Sequence, residues 1–155
     1  MKDRAKTIGH KIIKESFPLL QGRKICFITT WFRFYALSVW IPPSVGLIII
    51  SSRTRNFTDE AFTGLMVHEL CHQERYLGMG IKGYLKFITG YIFSKKSQVA
   101  EERATDKLTI EKGYGKQLFE LTKISHSDKN HRKIIDNYFT PDEIKSYSVK
   151  IGKWQ

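Results

Sequence analysis

Apolar and polar positions follow different periods in successive parts of this 155-residue chain. Over residues 2–16, Ile8, Ile12, Ile13 and the following Phe17 recur at near-helical spacing, which predicts an amphipathic helix. The texture then changes. "KICFITTWFRFYALSVW" (24–40) is rich in β-branched and aromatic residues and reads as one or two strands, with "VGLIIISS" (45–52) as another after Pro42-Pro43. Thr58 followed by Asp59 and Glu60 is a helix start, a capping hydroxyl with acids in the first turn. That helix is expected to run to about Tyr76 and to end before Gly78 and Gly80. Further helices are expected at roughly 81–93, 97–112 and 130–138. A last one is expected from Thr140-Pro141-Asp142-Glu143, where proline occupies the first helical position. Strands early and helices late predict an α+β domain, with residues 1–155 forming one unit.

Composition supports a packed core: 41% of residues are hydrophobic and only four are proline, which excludes a disordered chain. Cys26 and Cys71 are the only cysteines, too few for a disulfide framework. The N-terminus lacks the continuous apolar run of a signal peptide, and Pro42-Pro43 interrupts the most apolar segment, 34–50. A soluble cytoplasmic protein is the expectation.

The formal net charge of +11 raises the question of a polyanionic partner. Most windows mix both signs. Between Arg75 and Ala100, however, Arg75, Lys82, Lys86, Lys95 and Lys96 occur without one acid, interleaved with Tyr76, Tyr84, Phe87, Tyr91 and Phe93. Such a stripe suits phosphates or lipid headgroups; it equally describes a helix with core aromatics and solvated lysines.

The chemistry concentrates in "HELCH" (68–72). Residues four apart on a helix differ by only about 40° in direction, so His68 and His72 can reach one ion. Glu69 points about 100° away from His68, outside the ligand set and able to face a water held by the metal. A zinc ion would lower the pKa of this water, and the carboxylate could take its proton and pass it to a leaving amine. Met66, Leu70 and Leu77 lie opposite the histidines, while Ala61, Gly64 and Leu65 share their side. Cys71 reads as a small core residue.

A third ligand is needed. Arg75 and Gly78 stand where the HExxHxxGxxH pattern requires glycine and histidine, so that arrangement is excluded. "SQVAEERATDKLTIEKGYG" (97–115) instead supplies Glu102 and, one turn on, Asp106. With "HELCH" and "ERATD" together, residues 45–112 resemble the gluzincin metallopeptidases, in particular small single-domain, minigluzincin-like versions. The resemblance implies a zincin-like fold with a small N-terminal sheet, an active-site helix and a following helical subdomain. It implies Zn2+ held by His68, His72 and Glu102, with Glu69 as general base and Asp106 behind a ligand histidine. The substrate class implied is a protein or peptide, and an apolar strand such as 45–52 would form the rim that pairs with it.

Alternatives remain beside this reading. Glu101 replaces Glu102 as ligand if the helix is rotated, and His126 or His131 is a lesser rival. A divalent ion other than zinc would accept similar ligands. His126, His131, Tyr114 and Tyr138 are the candidates for stabilising an oxyanion, and His10 is expected at the surface. The competing function is a basic module binding nucleic acid or an anionic membrane surface, with a structural or vestigial metal site.

Overall fold

The structure, a computed structural model, describes residues 2–130 and 135–154. Among the described residues its architecture is α+β: five helices and one three-stranded mixed sheet. Helix α1 (Lys2–Ser16) leads into β1 (Lys24–Thr30), β2 (Ala36–Ile41) and β3 (Val45–Ser51). After these come α2 (Asp59–Phe93), α3 (Lys95–Glu111), α4 (Gly115–Ser127) and α5 (Pro141–Lys150).

The segment 24–40 holds two strands. In the sheet the order is β1-β3-β2, with β3 parallel to β1 and antiparallel to β2. The apolar run 45–52 is therefore the central strand, paired on both sides, which explains why every one of its residues is at least half-buried. The expectation that it forms a substrate-pairing rim is overturned; β2 is the open edge beside the helices.

The main core lies between α1, the sheet and the first half of α2. Phe17, Leu20, Ile48, Ile50, Phe62, Met66 and Leu70 are almost completely buried there. Cys71 is buried in the same core, and His10 is exposed, both as expected. Each such aliphatic or aromatic side chain contributes about 1.5–3 kcal/mol by leaving water. The back of the metal-motif helix is fixed by this packing. Two polar ties fix its height over the sheet: Ser38 Oγ donates to the Glu69 carbonyl at 3.0 Å, and Gln73 Nε2 donates to Ser38 Oγ at 2.7 Å and to the Val39 carbonyl at 2.9 Å.

Thr58 caps α2, its side chain accepting from the Ala61 N–H. The helix does not stop before Gly78. It continues to Phe93 around one non-helical residue, Gly80, at φ 66° and ψ 175°, a conformation essentially restricted to glycine. The two helices expected at about 59–76 and 81–93 are thus both present, meeting at a kink at Gly80 within α2, and the first runs a few residues further than expected.

Thr140 and Glu143 form a reciprocal capping box at the start of α5. The expected helix at 97–112 is α3. Of the helix expected at 130–138, residues 131–134 lie outside the described residues, and Ile135–Asn137 is a single 3-10 turn. Helix α4 has no counterpart in the sequence expectation. Its inward stripe is Leu118, Leu121, Thr122 and Ser125, so hydroxyls at half the positions dilute the apolar period.

Candidate metal centre

His68 and His72 point from α2 toward α3, where Glu102 meets them. Nε2 of His68 lies 3.2 Å, and Nε2 of His72 3.3 Å, from the same oxygen, Oε2 of Glu102. All three side chains are buried, and their ligand atoms lie within 4.8 Å of one another. The group could hold a metal ion. Glu102 is thus the glutamate that meets the paired nitrogens; Glu101, one position round the helix, takes the other side of His72.

The outer ring nitrogens face carboxylates as well. Nδ1 of His68 lies 3.0 Å from Oδ1 of Asp106, off the line of a hydrogen bond. Nδ1 of His72 lies 3.2 Å from Oε1 of Glu101 and 3.2 Å from Oγ1 of Thr105. Carboxylates behind ligand histidines fix the ring tautomer and raise the basicity of the inward nitrogen. Each is held in turn. Arg75 grips Glu101 with two bonds, Nε to Oε1 at 2.9 Å and Nη2 to Oε2 at 2.7 Å. The second oxygen of Asp106 accepts the Phe139 N–H at 2.8 Å, which brings Tyr138 over the site, its ring 5.8 Å from that of His68. Tyr91 donates to Oε1 of Glu102 at 2.5 Å, and Tyr76 stacks on the His72 ring.

These contacts set the charges. Burial alone would lower the His72 pKa, but the charge of Glu102 and hydrogen bonds to Glu101 and Glu102 outweigh it and raise it to about 9. His68 behaves likewise: Asp106 and Glu102 overcome burial and hold it well above its ordinary value. Glu102 is held well below the carboxylate range because both histidines overcome the cost of its burial. Glu101 is brought to about 2 by His72 and Arg75 against the same cost. Glu69 differs. Burial raises its pKa, the histidines oppose this only in part, and its Oε2 is buried without a hydrogen-bond partner.

A cavity of about 520 Å³ opens in front of Glu69 and the histidines. Its walls are mainly apolar, with Leu37 and Val39 from β2, Phe87 and Ile88 from α2, and Leu118 and Leu121 from α4. Along β2, the Tyr35 carbonyl accepts the Ser51 N–H, so Tyr35 pairs with the neighbouring chain and by alternation Ala36 and Ser38 turn their backbone groups outward. The run ends at Trp40, whose N–H donates to Tyr84 Oη at 2.9 Å.

Of the oxyanion candidates, Tyr138 and His126 line this cavity. Tyr114 does not; its hydroxyl is bonded to Ser16 Oγ at 2.7 Å. His131 lies outside the described residues, and His126 is not among the converging ligands. Arg75, Tyr76 and Tyr91 stand out in the sequence only as part of a basic aromatic stripe. For Arg75 and Tyr76 the signal is their spacing of three and four residues, one helical turn, from His72; Tyr91 reaches Glu102 from a different helix, across the break at Ser94, and carries no such signal. Among the described residues no helix is long and apolar enough to cross a membrane. No family profile, curated protein or solved structure matches the chain.

Proposed function

We propose that this chain is a zinc-dependent peptidase of the gluzincin kind, built on a zincin-like core. The observation that carries the reading is the convergence of two imidazole Nε2 atoms and one carboxylate oxygen, with each outer nitrogen backed by a carboxylate. Two nitrogens and one oxygen are the donor set of an open catalytic zinc site, and the partnerless oxygen of Glu69 beside them fits a proton acceptor for water. When bound there by His68, His72 and Glu102, zinc would acidify water and polarise a carbonyl.

The remaining work falls to the protein. Glu69 takes a proton at Oε2 and returns it to the departing nitrogen; its raised pKa suits both transfers. Asp106 and Glu101 keep the histidines oriented. Tyr138, whose phenol burial and nearby carboxylates keep protonated, is positioned to donate to a developing oxyanion. An extended peptide pairs with the outward backbone of Ala36 and Ser38 and places apolar side chains in the cavity.

The test is metal content by mass spectrometry, alongside cleavage of a peptide mixture. Wild type should carry about one zinc per chain, Glu102→Ala should lose it, and Glu101→Ala should retain it more weakly. Glu69→Gln should keep the metal and lose cleavage by about 10²–10⁴-fold. Absence of bound metal after zinc is supplied to wild type would refute the proposal.

A further inference from the structure

The half of α2 beyond Gly80 carries more apolar surface outward than a solvated helix needs. Ile81, Leu85 and Ile92 lie within about 40° of arc at about 100° per residue, with the half-buried Ile88 between them packing on the Tyr84 cluster. Ile81 is 47%, Leu85 58% and Ile92 61% exposed, and Phe93 at the helix end is 83% exposed. Beside this ridge Lys82, Lys86, Lys95 and Lys96 are all exposed, and among the described residues none forms an ion pair. The nearest acids in sequence, Glu74 and Glu101, are occupied by Lys112 and Arg75.

We infer that this face docks on an anionic lipid surface, the aliphatic ridge entering the headgroup boundary and the lysines meeting lipid phosphates and carboxylates. Two observations select lipid over the other polyanions that would suit the lysines. Exposed isoleucine and leucine gain nothing from a phosphate backbone, whereas an interfacial helix requires an apolar stripe beside its cations. Four of the five aromatics of this stretch are turned inward, leaving Phe93 alone outward and no row of rings on which successive bases could stack: Tyr84 is buried against Trp40 and Tyr76, and Phe87 and Tyr91 pack beside them. A second copy of the chain is disfavoured, because matching two such faces opposes lysine to lysine. Ile92 also lines the cavity, as do the exposed Phe34 and Leu37, so the docked face adjoins the cleft. The inference depends on no property of the metal site.

The experiment is co-sedimentation of the full chain with vesicles of equal parts phosphatidylserine and phosphatidylcholine, against phosphatidylcholine alone, in about 0.15 M salt. Wild type should partition into the mixed vesicles and far less into the neutral ones. Lys82→Gln with Lys86→Gln should weaken partitioning about 25-fold, and Thr89→Lys, which adds a cation at an exposed position, should strengthen it about fivefold. Ile81→Gln with Leu85→Gln, neither residue lining the cavity, should weaken it about tenfold or more at unchanged charge. Thermal melts of each variant establish that it is folded, and the gain expected of Thr89→Lys cannot come from misfolding. Glu69→Gln should bind vesicles like wild type, whatever the fate of the peptidase reading. Equal partitioning into both vesicles overturns the inference. So does a folded ridge variant that binds as wild type does, or tighter binding to an oligonucleotide that the ridge variant leaves intact.

Discussion

The same substitution at two glycines of one helix should have opposite signs. Gly64 sits one turn before His68, where α2 crosses α4, and a Cβ there would meet the Gln117 carbonyl oxygen at 2.3 Å, its carbon at 2.6 Å and the Leu118 nitrogen at 3.0 Å. All three are backbone atoms, so no side chain can swing away. To restore ordinary separation α4 must retreat by roughly 1 Å, loosening the contacts among Leu65, Leu118 and Leu121. Overpacking of this kind costs about 3 kcal/mol at the upper end of its usual range, against a helix-propensity gain of about 1 kcal/mol for alanine over glycine. Gly64→Ala should therefore lose about 2 kcal/mol net, a fall in Tm of about 4–8 °C for a chain of this length. Gly78 is exposed and helical, and nothing lies within 4 Å of a Cβ built there. Gly78→Ala should gain up to about 1 kcal/mol and raise Tm by about 2–4 °C. Thermal melts followed by circular dichroism in a chelating buffer read both without interference from metal. A Gly64→Ala variant melting at or above wild type would refute the close approach of α2 and α4, and with it the placing of the Leu118 wall against the motif helix.

Two further outcomes concern the site itself. In the metal-free chain His72 is raised from 6.5 to about 9, so its stabilising contribution is complete below pH 6.5 and is lost as the pH rises through 9. Zinc must displace that proton, so its affinity rises over the same interval, and the proton on His68, also held above its ordinary value, adds to the dependence. The Tm difference between zinc-loaded and chelated protein should widen from pH 6 to pH 9; a constant or narrowing gap would contradict this proton linkage. Tyr138→Phe should lower kcat on a cleaved peptide by about 10²–10³-fold with zinc content unchanged, and an unaltered kcat would remove Tyr138 from the reaction.

The site is more legible in the sequence than its surroundings. His68, Glu69 and His72 are adjacent in the chain, and Glu102 with Asp106 is separated from them by one connection, so helical geometry suffices to bring them onto facing surfaces. The Thr58 and Thr140 caps are equally readable, because a cap is a local interaction. Features that depend on partners distant in the chain are not. An apolar strand looks the same at a rim or at a sheet centre until its neighbours are known, so the letters of β3 suggest a rim and those of β2 give no sign that it is the open edge. The break at Gly80 and the helix after it are local and readable; that this second helix is anchored by Tyr84 against Trp40 and Tyr76 is not. Helix α4 is hidden because Thr122 is buried with its hydroxyl satisfied by the Leu118 carbonyl, and a pattern of apolar letters cannot register that bond.

Gly80 divides α2 into two parts that answer to different demands. Most residues from Ala61 to Tyr76 are enclosed by the sheet, α3 and α4, and changes among them are felt by the ligand cage. Beyond it, exposed positions alternate with a row of aromatics that holds this half in place through Tyr84 and Tyr91, while the joint itself favours no side chain at its positive φ. One residue inserted after Gly80 would turn the rest of the helix by about 100°, exchanging the outward ridge for the lysine row and carrying Tyr91 away from Glu102 and Tyr84 away from Trp40. The outward ridge and the ligand cage are therefore bound to one another through the aromatic row, and a single backbone conformation at Gly80 sets the angle between them.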